Sequence, residues 1–82
     1  MLKIGEVTHY YDKISVAIVN LQSDIFVGQK IKFVEDGKDV LEQVVESIQI
    51  EHKKVSSATK GDVIGLKINE KVNEGTEIYK VS

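Results

Sequence analysis

Short runs rich in Val and Ile recur from one end of this chain to the other, separated by turn-forming residues and never by a long amphipathic stretch. That pattern predicts an all-β fold. Leu2 to Tyr11 and Ile14 to Leu21 are two such runs, joined through Asp12 and Lys13 and close enough to form a hairpin. The second run is apolar or small on both faces, which suits a strand in the middle of a closed sheet. In Lys30-Ile31-Lys32-Phe33 the apolar residues alternate with lysines, so one face is buried and the other solvated. Glu35-Asp36-Gly37-Lys38 is a strong turn signal. Val40 to Ile50 has a helical alternative, because Val40, Leu41, Val44, Val45 and Ile48 would line one side of a helix. Its second half is β-branched and lacks a helix stop, which favours a strand with a bulge near Glu46 or Ser47. Glu51 to Asp62 is a polar connection, read as an exposed loop or a short strand. Val63 to Ile68 and Glu77 to Val81 complete six strands. Six short strands spanning residues 1–82 as one domain favour a small closed six-stranded β-barrel, since closure removes the exposed edges of a small open sheet.

Composition narrows the chemistry. A chain of 82 residues buries only about 60% of the surface its unfolded form exposes, so a deep catalytic cleft is hard to build. There is no cysteine, hence no disulfide, thiolate zinc site or cysteine nucleophile. His9 and His52 have no metal-ligand spacing. Ser56, Ser57 and Thr59 near His52 show no nucleophile turn, and the glycines form neither a dinucleotide fingerprint nor a phosphate loop. The reading is therefore non-catalytic, with no metal, no cofactor and no nucleotide hydrolysis. All eleven basic residues are Lys against thirteen acidic ones, for a net charge of -2, which disfavours tight generic nucleic-acid binding. The only local excess of positive charge is His52, Lys53, Lys54 and Lys60. Tyr10 and Tyr11 point to opposite faces, so at most one is core and the other is free to stack on a base or a partner. No stretch approaches the roughly 20 apolar residues of a membrane span, and Met1 to Gly5 is unlike a signal segment, so a cytoplasmic location without a membrane is expected.

Four strings, Val27 to Phe33, Val45 to Lys53, Ala58 to Leu66 and Glu74 to Tyr79, together resemble in order and spacing the second, β-barrel domain of translational GTPases of the elongation factor Tu type. Ile4 to Ile14 resembles small stand-alone translation-factor-like proteins, and also a related barrel at the carboxyl end of some collagenase-like peptidases. The resemblance implies a six-stranded barrel; independently of it, Gly28 and Gly61 permit the turns that launch strands, Gly65 leaves room for close backbone approach inside a narrow barrel, and Gly75 reverses the chain before the last strand. In elongation factors this barrel helps hold the aminoacylated end of transfer RNA (tRNA), with an acidic residue at the place of Gln49 and an Asn at the place of Val63; both differ here. The resulting expectation is a binding module that contacts RNA, such as tRNA, or a ribonucleoprotein through Tyr10, Tyr11, Gln49, His52, Lys53, Lys54 and Lys60. Its alternatives are a protein-protein interaction domain, or an accessory barrel of a separately encoded peptidase or modifying enzyme.

Overall fold

The computed structural model describes residues 2–81 and is all-β, with no helix among them and so none long and apolar enough to cross a membrane. Ten strands form: β1 (Lys3–Tyr11), β2 (Val16–Leu21), β3 (Ile25–Phe26), β4 (Lys30–Glu35), β5 (Lys38–Val44), β6 (Ile48–Ile50), β7 (Lys53–Val55), β8 (Ser57–Ala58), β9 (Val63–Lys67) and β10 (Glu77–Lys80). Eight of them make one sheet in the order β5-β4-β10-β1-β2-β9-β6-β7, and β3 pairs with β8 separately. The sheet wraps around a core led by Phe33, Ile4, Ile31, Ile48, Ile64, Leu66 and Ile78, all essentially without solvent contact. Alternation decides which residues enter it: Ala17 and Val19 of β2 face inward, whereas Val16 and Ile18 are half-buried on the outer face.

Asp36 and Gly37 form the two-residue turn of the β4–β5 hairpin with φ of 51° and 78°, the left-handed pair that a type I′ turn demands. Val40 to Ile50 is not helical. Nor is it one bulged strand: Val45, Glu46 and Ser47 leave the ladder, and the chain crosses from the partner of β4 to the partner of β9. The polar connection after Ile50 contains two short strands, β7 and β8.

The expected closed cylinder is corrected here, because β5 and β7 are the two ends of the sheet and do not pair with each other. The ladder stops short because the crossing at residues 45–47 leaves β6 only three residues before the chain turns back into β7. A side chain spans the opening. Gln43 of β5 is 6% exposed; its Nε2 donates to the Lys67 carbonyl at 3.0 Å and its Oε1 accepts from the Asn69 amide at 2.8 Å. The end nearby is held by the Gly28 amide donating to Val45 and the Val45 amide to Gln29.

Close backbone approach also falls on a different glycine. A Cβ on Gly5 would meet the Asn20 carbonyl oxygen at 2.5 Å, where β1 crosses β2, and backbone there cannot yield. Gly65 instead faces outward, and a Cβ on it would meet only Val16 Cγ1 at 3.3 Å and Gln49 Cβ at 3.9 Å.

Candidate functional site: a furrow across the outer face of the sheet

The absence of a side chain at Gly65 lowers one row of the outer surface. Ile18 and Gln49 are its neighbours on either strand, and Lys54 lies opposite Gln49, so the row Ile18–Gly65–Gln49–Lys54 runs across β2, β9, β6 and β7. Two residues along the strands, Val16 and Lys67 stand opposite each other on one bank; Val63 stands on the other, across from Asn20. The result is a furrow of about 810 Å³, within the range of ligand-sized clefts.

Much of its wall is apolar and open. Tyr11, Ile14 and Val63 are 48%, 57% and 55% exposed, and Val16 and Ile18 contribute half-buried flanks. Singly exposed apolar side chains need no explanation; here three of them surround one depression. The polar groups are Gln49 on the floor, Ser47, Lys54, Lys67 and His52 around it, and Glu46 and Glu51 toward the two ends of β6. The Lys67 ammonium donates to the Ile14 carbonyl at 3.1 Å, tying the β1–β2 turn to β9.

Glu51 and His52 form the turn between β6 and β7 with φ of 51° and 66°. This is again the left-handed pair, but neither residue is Gly, Asn or Asp, so each carries strain of about 1–2 kcal/mol. Both side chains line the furrow.

Of the residues singled out from sequence, Tyr11, Gln49, His52 and Lys54 meet at this furrow. Tyr10 packs against the core and borders a separate shallow depression with Asp12, Lys71 and Glu74. The partition of the two tyrosines is set by a bulge in β1: Val7 faces Val19 and His9 faces Ile18, so Thr8 is the extra residue and every later side chain changes face. Lys53 lies opposite Ile50 and Lys60 in the turn after β8; both are exposed and neither borders the furrow. Ile14, Val16, Ile18, Gly65 and Lys67 were not anticipated as site residues. The available signal was the run from Ile14 to Val19, apolar on both faces: its second apolar face lines a groove.

His9 Nδ1 lies 3.1 Å from Oε2 of Glu74 on the opposite side of β1 from the core, with the Tyr11 ring edge-on at 4.4 Å. Among the described residues no three His, Asp or Glu converge as a metal site would require. The geometry thus defines a small all-β domain whose most developed surface feature is this furrow.

Segments of known proteins are similar to this chain. No family model matches the chain. It is 40% identical over 78 residues to an uncharacterised protease of Methanocaldococcus jannaschii, covering 95% of this chain and 19% of that protein. It is 30% identical over 78 residues to a collagenase of Porphyromonas gingivalis, covering 94% of this chain and 22% of the collagenase. The chain thus spans about a fifth of the length of these curated relatives. In structure it matches a domain described as the C-terminal domain of a U32 peptidase of Geobacillus thermoleovorans, with a TM-score of 0.90 over 98% of this chain and all of that one, at 18% identity. A second crystal structure of that domain gives a TM-score of 0.88.

These findings correct the likeness to elongation factors, and with it the reading as an RNA-binding translation module. The strings that carried it are each a turn plus a strand, and any sheet wound this way needs them. The other resemblance, to a domain at the carboxyl end of collagenase-like peptidases, is the one these relatives support.

Proposed function

We propose that this chain is an accessory, non-catalytic β-domain of a U32-type peptidase, contributing polypeptide contact while the bond-breaking groups reside in the rest of the enzyme. The observation that carries this reading is the 40% identity to a protease segment spanning nearly the whole chain, reinforced by the shared fold of a peptidase C-terminal domain. The physical reading agrees with it. A thin core and an open furrow offer contact surface.

The test is a graft. The 78 matching residues of the Methanocaldococcus protease are deleted, and separately replaced by this chain, and hydrolysis of labelled gelatin is compared among the three forms. Deletion should lower turnover and the graft should restore it. This chain alone should cleave nothing. Gelatin hydrolysis by the isolated chain, or a graft that folds by circular dichroism yet behaves like the deletion, refutes the proposal.

A further inference from the structure

Among the described residues the eight-stranded sheet has two free edges, and they are guarded unequally. β7 is three residues long and carries the exposed Lys53 and Lys54, a short and charged edge that resists pairing with another chain. β5 is seven residues long. Its turn end is guarded by Lys38, Asp39 and the bulge that leaves Val40 without an opposite residue, but from Leu41 to Val44 the register with β4 is regular. The direction of the main chain there follows from the flanking bonds. The Lys30 carbonyl accepts from the Val81 amide on the β10 side, and the Val45 amide donates to the Gln29 carbonyl on the β5 side. In an alternating ladder, Leu41 and Gln43 therefore bond to β4 whereas Glu42 and Val44 face away from it. β5 pairs with no other strand, and the Val44 carbonyl has only a 3.4 Å contact from the neighbouring Gln43 amide. The N–H and C=O groups of two exposed residues thus stand off this edge. On the outer face of the same stretch Val40 and Val44 are exposed, and Glu42 between them is already engaged by Lys30 at 2.9 Å.

We propose that an extended segment of the peptidase this domain serves is added beside β5 as a further strand. Its main chain bonds Glu42 and Val44, and its aliphatic side chains lie opposite Val40 and Val44. Main-chain donors and acceptors at this spacing are met by another extended main chain. An edge this long is a liability when open, and natural proteins cover the edges they do not guard. The polypeptide to cover it is at hand in the relatives, of which this chain spans about a fifth. A second copy fits poorly: the antiparallel register that sets Val40 against Val44 of the other copy also sets Glu42 against Glu42, two like charges directly opposite. This inference rests on the accessory-domain reading for its partner and adds to it the strand through which the domain docks.

The test reads amide hydrogen exchange residue by residue. In the isolated chain, Glu42 and Val44 should exchange nearly as an unstructured chain does, while Leu41 and Gln43 are protected. In the Methanocaldococcus protease carrying this chain in place of its matching segment, Glu42 and Val44 should slow by about tenfold or more, and the amides of β7 should not change. Val44→Pro removes one of the donors; it should leave the urea midpoint of the isolated chain nearly unchanged and return Glu42 in the graft to its free rate. Val40→Lys together with Val44→Lys should do the same without altering the backbone, a second route should proline disturb β5. A graft that restores turnover while Glu42 and Val44 exchange as in the isolated chain overturns this inference alone. A folded graft without turnover refutes the accessory-domain reading beneath it. Protection that grows with the concentration of the isolated chain assigns the edge to a second copy, and protection of the isolated chain by added gelatin assigns it to substrate; either would overturn the proposal.

Discussion

Replacing Gln43 by Leu tests whether a side chain holds the open side of the sheet together. The amide makes two well-formed bonds there, to the Lys67 carbonyl at 3.0 Å and from the Asn69 amide at 2.8 Å, plus a longer one to its neighbour Val44. Each neutral bond contributes about 1 kcal/mol net, so losing both costs about 2 kcal/mol. Lys67 and Asn69 are exposed residues, so water can reach part of what is freed and the full penalty of a stranded buried group does not apply. Leu has nearly the volume of Gln and gains from burial, which offsets up to about 1 kcal/mol. The balance is a loss of about 1–2 kcal/mol, equivalent to a melting point lower by about 5–15 °C for a domain of this size. Thermal and urea unfolding followed by circular dichroism would measure it, with hydrogen exchange at the Asn69 amide as the local reporter. Gln43→Glu separates bonding from packing. An ionised carboxyl can still accept from Asn69 but faces the Lys67 carbonyl with no proton to give, so this variant should be weaker than wild type at neutral pH. It should recover as the buried acid protonates. A Leu variant that unfolds at or above the wild-type midpoint, with unchanged exchange at Asn69, would refute the bridging role.

Gly5→Ala should cost several-fold more stability than Gly65→Ala, because only the first drives a methyl into backbone; comparable urea midpoints would contradict the close crossing of β1 and β2. His52→Gly should stabilise by about 1 kcal/mol by relieving a left-handed non-glycine residue, and a lower midpoint would mean that the imidazole makes a compensating contact. Thr76 is fully buried and its hydroxyl has no partner among the described residues, so Thr76→Val should raise the melting point, whereas a drop would show that the hydroxyl is satisfied. The Lys3 ammonium donates to Glu77 at 2.7 Å; that bond lowers the Glu77 carboxyl below its ordinary 4.5 and raises Lys3 above its ordinary 10.5. The carboxylate's contribution is therefore complete above pH 4.5 and fades as pH falls through its lowered value, while the lysine's is complete below pH 10.5 and fades as pH rises through its raised value. Glu77→Gln should flatten both flanks of the stability profile, and parallel profiles would show the pair to be inert.

Four of the fourteen residues that line the furrow were legible from the sequence. Gln49, His52 and Lys54 are close in the chain, and Tyr11 announced itself as one of two aromatics that could not both be core. The rest comes from β2 and β9, whose Ile18 and Gly65 are 47 positions apart and meet only through strand pairing. Alternation with Ile64, Leu66 and Ile68 puts Gly65 on the outer face, but nothing local says which residues flank it there, nor at Gly5 that a neighbouring carbonyl lies against it.

The all-β class, the turn at Asp36 and Gly37 and the exclusion of thiol chemistry were determined by the sequence alone, because β-branched runs, left-handed turn residues and missing cysteines act within a few residues of where they stand. Register and closure were decided by tertiary structure. One extra residue at Thr8 sends Tyr11 outward, three residues at 45–47 carry the chain across the sheet, and Gln43 rather than a ladder holds the opening. A slip of one residue exchanges the two faces of a strand, and which slip is adopted depends on partners far away in the chain.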